Sequence, residues 1–588
     1  MQKADNKNFV LAIVLSMLIV FGWQYFYVAP MLDQQQASQP QTTQQQAQPG
    51  AIVPGSAVGG VVPREQALAG TKRLPIESTA LTGSINLEGA RLDDLHLMKY
   101  KETIAPGSPT IVLLSPSGSP NAYFAEQGLV PAQGTALKVP DSKTVWQAPE
   151  GAVLSTGKPV TLTWDNGEGV VFSRTISLDD EYVFSITQTV ENKSAVPVSV
   201  LPYGRIQRQD TPVIAGFWVF FEGALAMLDG TLNEIHYSDL KDDKQVVKID
   251  SANGWLGFTD KYWATAMVPQ QGKASSTAFQ HLNQNGRDAY QAEYIIKEPI
   301  TIVPGGTASY QEQLYAGAKV VQQIEAVGAK YGIPSFEFMI DWGWFPFLTK
   351  PMFWLLALVQ SFVGNFGVAI LAITVIVKLA VFPLANKSYA SMSKMKKLQP
   401  EMEKLKELHG DDRMKVQQGM MELYKREKVS PVSGCLPVLV QIPIFFALYK
   451  VILTSIELRH APFFGWIKDL SAADPTSVFN LFGLIPYEVP QFLLIGVWPL
   501  LMGITMWIQM RLNPTPPDPV QASLFNWMPV IFTFMLGTFP AGLVIYWAWS
   551  NFLSIVQQSY IMKRHGVEVD LLGNIRDSLP FLKKKPAS

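Results

Sequence analysis

The alternation of apolar and polar positions divides this chain of 588 residues into two unlike parts. Residues from about 31 to 335 are polar and rich in Gly, Pro and Thr. Those from about 340 to 562 hold long uncharged apolar runs, the mark of membrane-spanning helices. From Leu74 to Glu337 the period is two. Val170 to Leu178 and Tyr182 to Val190 alternate on either side of an acidic turn at Asp179-Asp180-Glu181. Val196 to Leu201, Tyr262 to Val268 and Ala289 to Ile296 continue the pattern. The turn dipeptides Asn166-Gly167, Asn253-Gly254 and Asn285-Gly286 punctuate it. Many short strands over about 260 residues predict a large all-β antiparallel sandwich.

At the start of the chain, the apolar run Phe9 to Ala29 has bilayer length and follows a polar stretch with Lys3 and Lys7. It ends in Trp23, Tyr25, Phe26 and Tyr27, which suit a membrane–water interface better than a cleavage site. Residues 1–30 therefore read as an uncleaved signal-anchor span. Residues 31–63, rich in Gln, Pro, Ala and Gly, read as a flexible linker, and 64–337 as the sandwich domain. Residues 338–363 are unusually aromatic, yet the apolar part from Pro351 to Val363 is only about 13 residues. That length predicts an amphipathic helix lying at the outer membrane surface. Five spans are expected in residues 364–562: Phe366 to Leu384, Cys435 to Leu453, Phe492 to Met510, Leu524 to Phe539 and Ala541 to Ile561. The fourth of these, about 16 residues or near 24 Å, is short for a hydrocarbon core of roughly 30 Å and predicts local thinning of the bilayer.

Charge sets the orientation. The formal net charge of −1 leaves no global nucleic-acid footprint. Residues 386–430 nevertheless hold eleven Lys/Arg, and the tail, residues 563–588, carries Lys563, Arg564, Lys583, Lys584 and Lys585 among its basic residues, whereas the loop from Thr454 to Gln491 has only Arg459 and Lys468. The positive-inside bias then gives six spans with both termini in the cytoplasm and the sandwich outside. The lone Cys435 excludes an internal disulfide and any Cys-based metal cage, and a cysteine-free outer domain fits a bacterial extracytoplasmic space.

Candidate chemistry centres on Lys378, which sits within its span about 18 Å from the outer end and 9 Å from the inner end. A lysine at such depth costs roughly 2.5–3.5 kcal/mol on insertion scales. It either snorkels to the cytoplasmic headgroups or faces a water-filled cavity. Its surroundings favour the cavity. Thr374 lies one turn earlier on the same helix face, Gln441 adds an amide in the next span, and Tyr546, Ser550, Ser554 and Gln557 form a polar stripe in the last one. Each of these alone reads as an interhelical hydrogen bond; together with a charge they read as a shared hydrated groove. Enzyme chemistry is poorly supported, since no histidine or carboxylate falls within a span.

Between the first two of the five spans, Met392, Met395, Leu398, Met402, Leu405 and Leu408 follow 3/4 spacing broken by Pro400. Gly410 then reads as a C-cap, and Asp411-Asp412 begins a second helix bearing Met414, Met420, Met421 and Tyr424. Residues 386–430 thus predict a cytoplasmic helical hairpin. Its methionines either zip the two helices or offer an adaptable apolar contact surface.

Several motifs resemble the YidC membrane-protein insertase family, of the Gram-negative type with a large periplasmic domain. They are Gly364-Asn365-Phe366-Gly367, Phe382-Pro383-Leu384, Lys394-Met395, Leu398-Gln399-Pro400, Gly434-Cys435-Leu436-Pro437, Gln441-Ile442-Pro443-Ile444-Phe445 and Phe539-Pro540-Ala541-Gly542. The resemblance implies an insertase and chaperone of inner-membrane proteins, acting alone or with the Sec translocon. Its partners would be nascent membrane proteins, the ribosome and the phospholipid bilayer, with no cofactor and no small-molecule substrate. It implies a basic residue in a cytoplasm-facing groove, usually arginine and here Lys378, and a client segment that leaves along the third and fifth spans. Trp547 stands where tyrosine is common, and Thr538 where tryptophan is. The outer domain resembles a mutarotase-type super-sandwich, which leaves a competing expectation. The chain would then be a membrane-tethered periplasmic carbohydrate-active enzyme or glycan-binding protein, with His96, His236 and His281 as candidates.

Overall fold

The computed structural model describes residues 61–567, apart from 213–219, 244–245, 285, 411, 428–435, 486, 488, 490–494 and 514–518. The signal-anchor, most of the linker, Cys435, Asn285, Asp411 and the end of the basic tail lie outside the described residues.

Eighteen strands form among the described residues. The first nine are β1 (Arg73–Glu77), β2 (Leu81–Asn86), β3 (Arg91–Lys101), β4 (Thr110–Leu114), β5 (Tyr123–Pro131), β6 (Val160–Asp165), β7 (Val170–Leu178), β8 (Val183–Asn192) and β9 (Val198–Gln209). The rest are β10 (Gly223–Leu228), β11 (Thr231–His236), β12 (Val247–Ser251), β13 (Gly254–Thr259), β14 (Trp263–Val268), β15 (Ser275–Gln284), β16 (Arg287–Ile296), β17 (Ile300–Ile302) and β18 (Thr307–Ala318). One sheet runs β1-β2-β3-β5-β9-β16-β15-β12, with β4 on β3 and β17 on β9; the other runs β11-β10-β13-β14-β18-β8-β7-β6. The predicted hairpin is β7 and β8, paired from Val170↔Asn192 to Leu178↔Phe184, and β7 alternates buried and half-buried positions along its whole length. That alternation is what one packed face requires. A single apolar core runs between the sheets, including Phe172, Phe184, Phe258 and Tyr294.

Helices α1 (Arg64–Ala69) and α2 (Tyr237–Asp243) decorate the sandwich, and α3 (Val321–Tyr331) leads out of it. Then follow α4 (Pro346–Val363), α5 (Phe366–Ala380), α6 (Phe382–His409), α7 (Arg413–Arg426), α8 (Leu436–Thr454), α9 (Val497–Leu512), α10 (Pro519–Leu536) and α11 (Ala541–Arg564). The span expected to reach Leu384 stops at Ala380, and α6 departs from α5 at 68°. Phe382-Pro383 explains the break: Pro383 has no N–H for the ladder and disfavours helical backbone in the residue before it. The break expected at Pro400 does not occur, because α6 runs through it. Pro400 lies on the exposed face, and Leu398 buried against Leu423 of α7 holds the helix on course. Among the described residues, α4 alone is continuous, long and apolar enough to cross a membrane, and the bent α5–α6 pair would make a second. Among the described residues, helix length and apolarity by themselves therefore do not give six spans.

Local chemistry accounts for the junctions. Asn365 caps α5 by accepting the Val368 N–H at 3.1 Å, and a Cβ at Gly367 would lie 2.1 Å from the Phe463 ring. Gly503 lets α9 approach α10, since a Cβ there would lie 2.0 Å from Thr533 Oγ1. Polar contacts tie the sandwich and the segment that follows it to the helices. Arg459 donates to the Lys101 and Glu102 carbonyls at 2.7 and 3.1 Å. Glu457 accepts the Val321 N–H at 3.2 Å, and Lys450 Nζ pairs with Asp341 at 2.5 Å.

Candidate functional site

Lys378 is in the last turn of α5, and its side chain turns inward rather than toward the helix end. Its Nζ donates to Ser554 Oγ on α11 at 2.7 Å. Ser554 in turn donates to the Ser550 carbonyl at 2.9 Å, so the hydroxyl is held from both sides. Beside it, Gln441 Nε2 on α8 donates to Tyr546 Oη on α11 at 3.0 Å. Lys378, Gln441 and Gln557 share a cleft with Val381, Leu384, Ala385, Tyr389 and Ile444. The cleft is about 340 Å³ with its open mouth included. Gln557 Nε2 is buried and makes no hydrogen bond among the described residues. A buried amide left so is ordinarily satisfied by water.

Other expected groove residues lie close by with different contacts. Thr374 is buried and donates to the Ile370 carbonyl of its own helix at 2.6 Å, so it does not line the cleft. Ser550 is buried and also does not line it. Trp547 packs on Phe445 and Phe532, with ring centroids 4.7 and 5.7 Å away, and so joins the apolar seam between α8, α10 and α11. α11 is further tied to α5 by Trp549 Nε1, which donates to the Leu371 carbonyl at 3.1 Å.

The helical pair α6–α7 divides its methionines. Met392 is buried with Ala385, Tyr389 and Ile561, which pins α6 to the end of α11. Met395 and Met402 pack around Leu398 and Leu423, and Tyr424 Oη reaches Met402 Sδ at 3.7 Å. These three zip helices together. Met420 is half-buried, whereas Met421 is 51% exposed and Met414 72% exposed, so the outer face of α7 carries the free apolar surface. Gly410 caps α6 at positive φ, and Asp412 caps α7 by accepting the Lys415 N–H at 3.3 Å.

Sequence reasoning passed over Lys450, a second lysine within an expected span. Its partner Asp341 lies 109 positions earlier. A cation in the last turn of an apolar run was the available signal; only the fold supplies the carboxylate. Of the three histidines of the competing reading, His236 shares a cavity with Glu234 and Asp341, and neither His96 nor His281 lines it. His96 lies beside Asp94 and Arg64, His281 beside Asp288, and His236 against the Phe221 ring. No group of three or more His, Cys, Asp or Glu able to hold a metal occurs among the described residues.

The architecture is an antiparallel sandwich joined to a set of apolar helices with a lysine turned inward among them. Residues 358–568 match the family model described as 60Kd inner membrane protein, and residues 73–355 match that of the YidC periplasmic domain. The chain is 51% identical to the membrane protein insertase YidC of Rhizobium meliloti over 595 residues, covering 99% of this chain and all of that one. It is 51% identical to that of Agrobacterium fabrum over 599 residues, with 99% of both chains covered. The chain belongs to the YidC family. The solved structure of an active YidC insertase aligns over 82% of this chain and 92% of that one at 19% identity, with a TM-score of 0.36, too loose a superposition to bear on detail.

Proposed function

We propose that this chain inserts and folds integral inner-membrane proteins through the cleft at Lys378. The observation that carries the reading is the Lys378 ammonium, held at the cleft wall by Ser554 at 2.7 Å with Gln441 and Gln557 alongside. A fixed cation in a low-dielectric wall attracts the polar or acidic part of a client and lowers the cost of carrying it across part of the bilayer. The client's apolar segment leaves along α8 and α10. Exposed Leu524, Trp527, Ile531 and Phe534 on α10, with Ile442 and Phe446 on α8, support that exit.

In this reading the helices supply six spans with the N-terminal anchor, and both termini lie in the cytoplasm. The sandwich and the interfacial helix α4 are periplasmic. Ala385 and Tyr389 bring the cleft to the foot of α6, which continues into the basic helical pair, so the groove opens to the cytoplasm. Thr374, Ser550, Tyr546 and Trp547 support the groove from behind, and Met420 and Met421 contact clients or the ribosome. The chain acts alone or with the Sec translocon. The reading uses no bond-making chemistry, cofactor or small-molecule substrate. A photo-crosslinker placed at residue 378 or 441 will capture nascent single- and double-span proteins on stalled ribosomes. Failure to capture any, with protein that still supports growth, refutes the assignment.

A further inference from the structure

A second, larger cavity lies between the sandwich and the helices, about 1180 Å³ with its open mouth included. Its walls are aromatic: Phe221 comes just before β10, Trp342, Trp344 and Phe345 precede α4, and Phe446 comes from α8. Its titratable groups are Glu234, His236, Asp341 and Lys450. Lys450 Nζ is matched to Asp341 at 2.5 Å, and Asp341 also accepts the N–H groups of Phe221 and Gly343 at 2.8 and 2.9 Å. The Glu234 carboxylate has no hydrogen bond or ion pair among the described residues, and its surface is open to the cavity. Among the lining side chains two carboxylates meet one ammonium. The Trp342 and Phe220 rings already face Lys350 and Lys261 at 5.7 and 5.3 Å, and the remaining rings, Phe221, Trp344, Phe345 and Phe446, favour a further cation.

The position of the mouth selects among cations. Trp344 and Phe345 lead directly into α4, whose run of exposed residues includes Phe347 (77%), Leu358 (55%) and Phe362 (81%). An aromatic and apolar stripe of that kind belongs at the lipid interface. Lys450 is nine residues beyond Gln441 on α8, about 14 Å along the helix, so this cavity lies toward the other end of the helix from the Lys378 cleft. A cation carried by a lipid reaches the mouth from α4, whereas the polar part of a client held at Lys378 does not.

We propose that this cavity binds the ammonium headgroup of an aminophospholipid, with the charge at Glu234 against the aromatic walls and the acyl chains along α4. The inference rests on α4 facing lipid, as in the functional reading above, but is tested separately from it. Full-length protein is reconstituted in vesicles of equal phosphatidylethanolamine and phosphatidylglycerol with identical acyl chains, and the lipids retained are counted by native mass spectrometry. The ethanolamine lipid should be retained about three- to tenfold over the glycerol lipid, the worth of one cation–π contact and one partly exposed ion pair. Glu234→Gln should lower the ratio to about twofold, the share left to the cation–π contact. An ethanolamine lipid carrying a headgroup diazirine should label peptides containing Glu234 or Trp344. Equal retention by the unaltered protein, or a preference that Glu234→Gln leaves unchanged, overturns the proposal, as does labelling confined to other peptides. Client crosslinking from residue 378 should be the same in Glu234→Gln, so failure here and failure of the insertase reading give different results.

Discussion

Replacing Lys378 by methionine keeps the length and apolar volume of the side chain and removes only the charge. The packing should survive. Ser554 Oγ still donates to the Ser550 carbonyl at 2.9 Å, so the loss of Nζ leaves no buried donor unpaired. What disappears is attraction for an anionic client group. A carboxylate about 4 Å from Nζ gains about 4 kcal/mol at an effective dielectric of 20. Desolvation of the carboxylate cancels part of this, and a net value of about 2 kcal/mol fits the worth of a hydrogen bond to a charged group. That corresponds to about 30-fold in groove occupancy. Proteoliposomes carrying each variant can be given a single-span client with an acidic leading segment, or its neutral counterpart, and insertion scored by protease protection. Lys378→Met should slow the acidic client about 30-fold at limiting client concentration and leave the neutral one nearly unchanged. Lys378→Arg should restore the rate, because the charge returns, and Lys378→Glu should reverse the preference. If Lys378→Met, folded and correctly inserted, handles the acidic client at the original rate, the cation has no role in client capture.

Two further outcomes follow from buried charges elsewhere. Glu312 lies between the sheets, accepting from Tyr294 Oη and from Gln188 Nε2 at 2.9 Å, and burial pushes its carboxyl from 4.5 up to about 7. The folded state therefore keeps a proton that the unfolded chain releases; this stability is complete below pH 4.5 and is lost as pH rises through about 7. Glu312→Gln should flatten the dependence of Tm on pH across that window and add up to roughly 3 kcal/mol at pH 8, and an unchanged slope refutes the assignment. Removing Lys450 alone takes the ion-pair partner from Asp341, a mostly buried carboxylate at the junction of sandwich and helices that keeps the Phe221 and Gly343 N–H groups. Lys450→Met should then destabilise by about 2–3 kcal/mol and the double change with Asp341→Asn by less; equal losses in thermal melts refute a coupled pair.

The β7–β8 hairpin was legible because one buried face imposes a period of two, and the structure places its strands at Val170–Leu178 and Val183–Asn192. The caps Gly410 and Asp412 were legible because helix ends need local partners, and local partners are near in sequence. Pro400 misled for the converse reason. A proline reports only the bond it removes, whereas the contact of Leu398 with Leu423 that keeps α6 continuous comes from another helix. Lys378 could be singled out as a cation out of place in an apolar run.

What the sequence determined by itself was the division into a strand-forming part and a part of apolar helices, the lysine at depth within one of those helices, and the polar stripe at Tyr546, Ser550, Ser554 and Gln557. Those are properties of period and composition. Tertiary structure alone decided that Ser554 rather than Thr374 meets Lys378, that Trp547 belongs to the apolar seam, and that Lys450 finds Asp341 across 109 positions. The physical reason is that helical spacing specifies which side chains share a face, while the rotation and packing of neighbouring helices specify what that face meets.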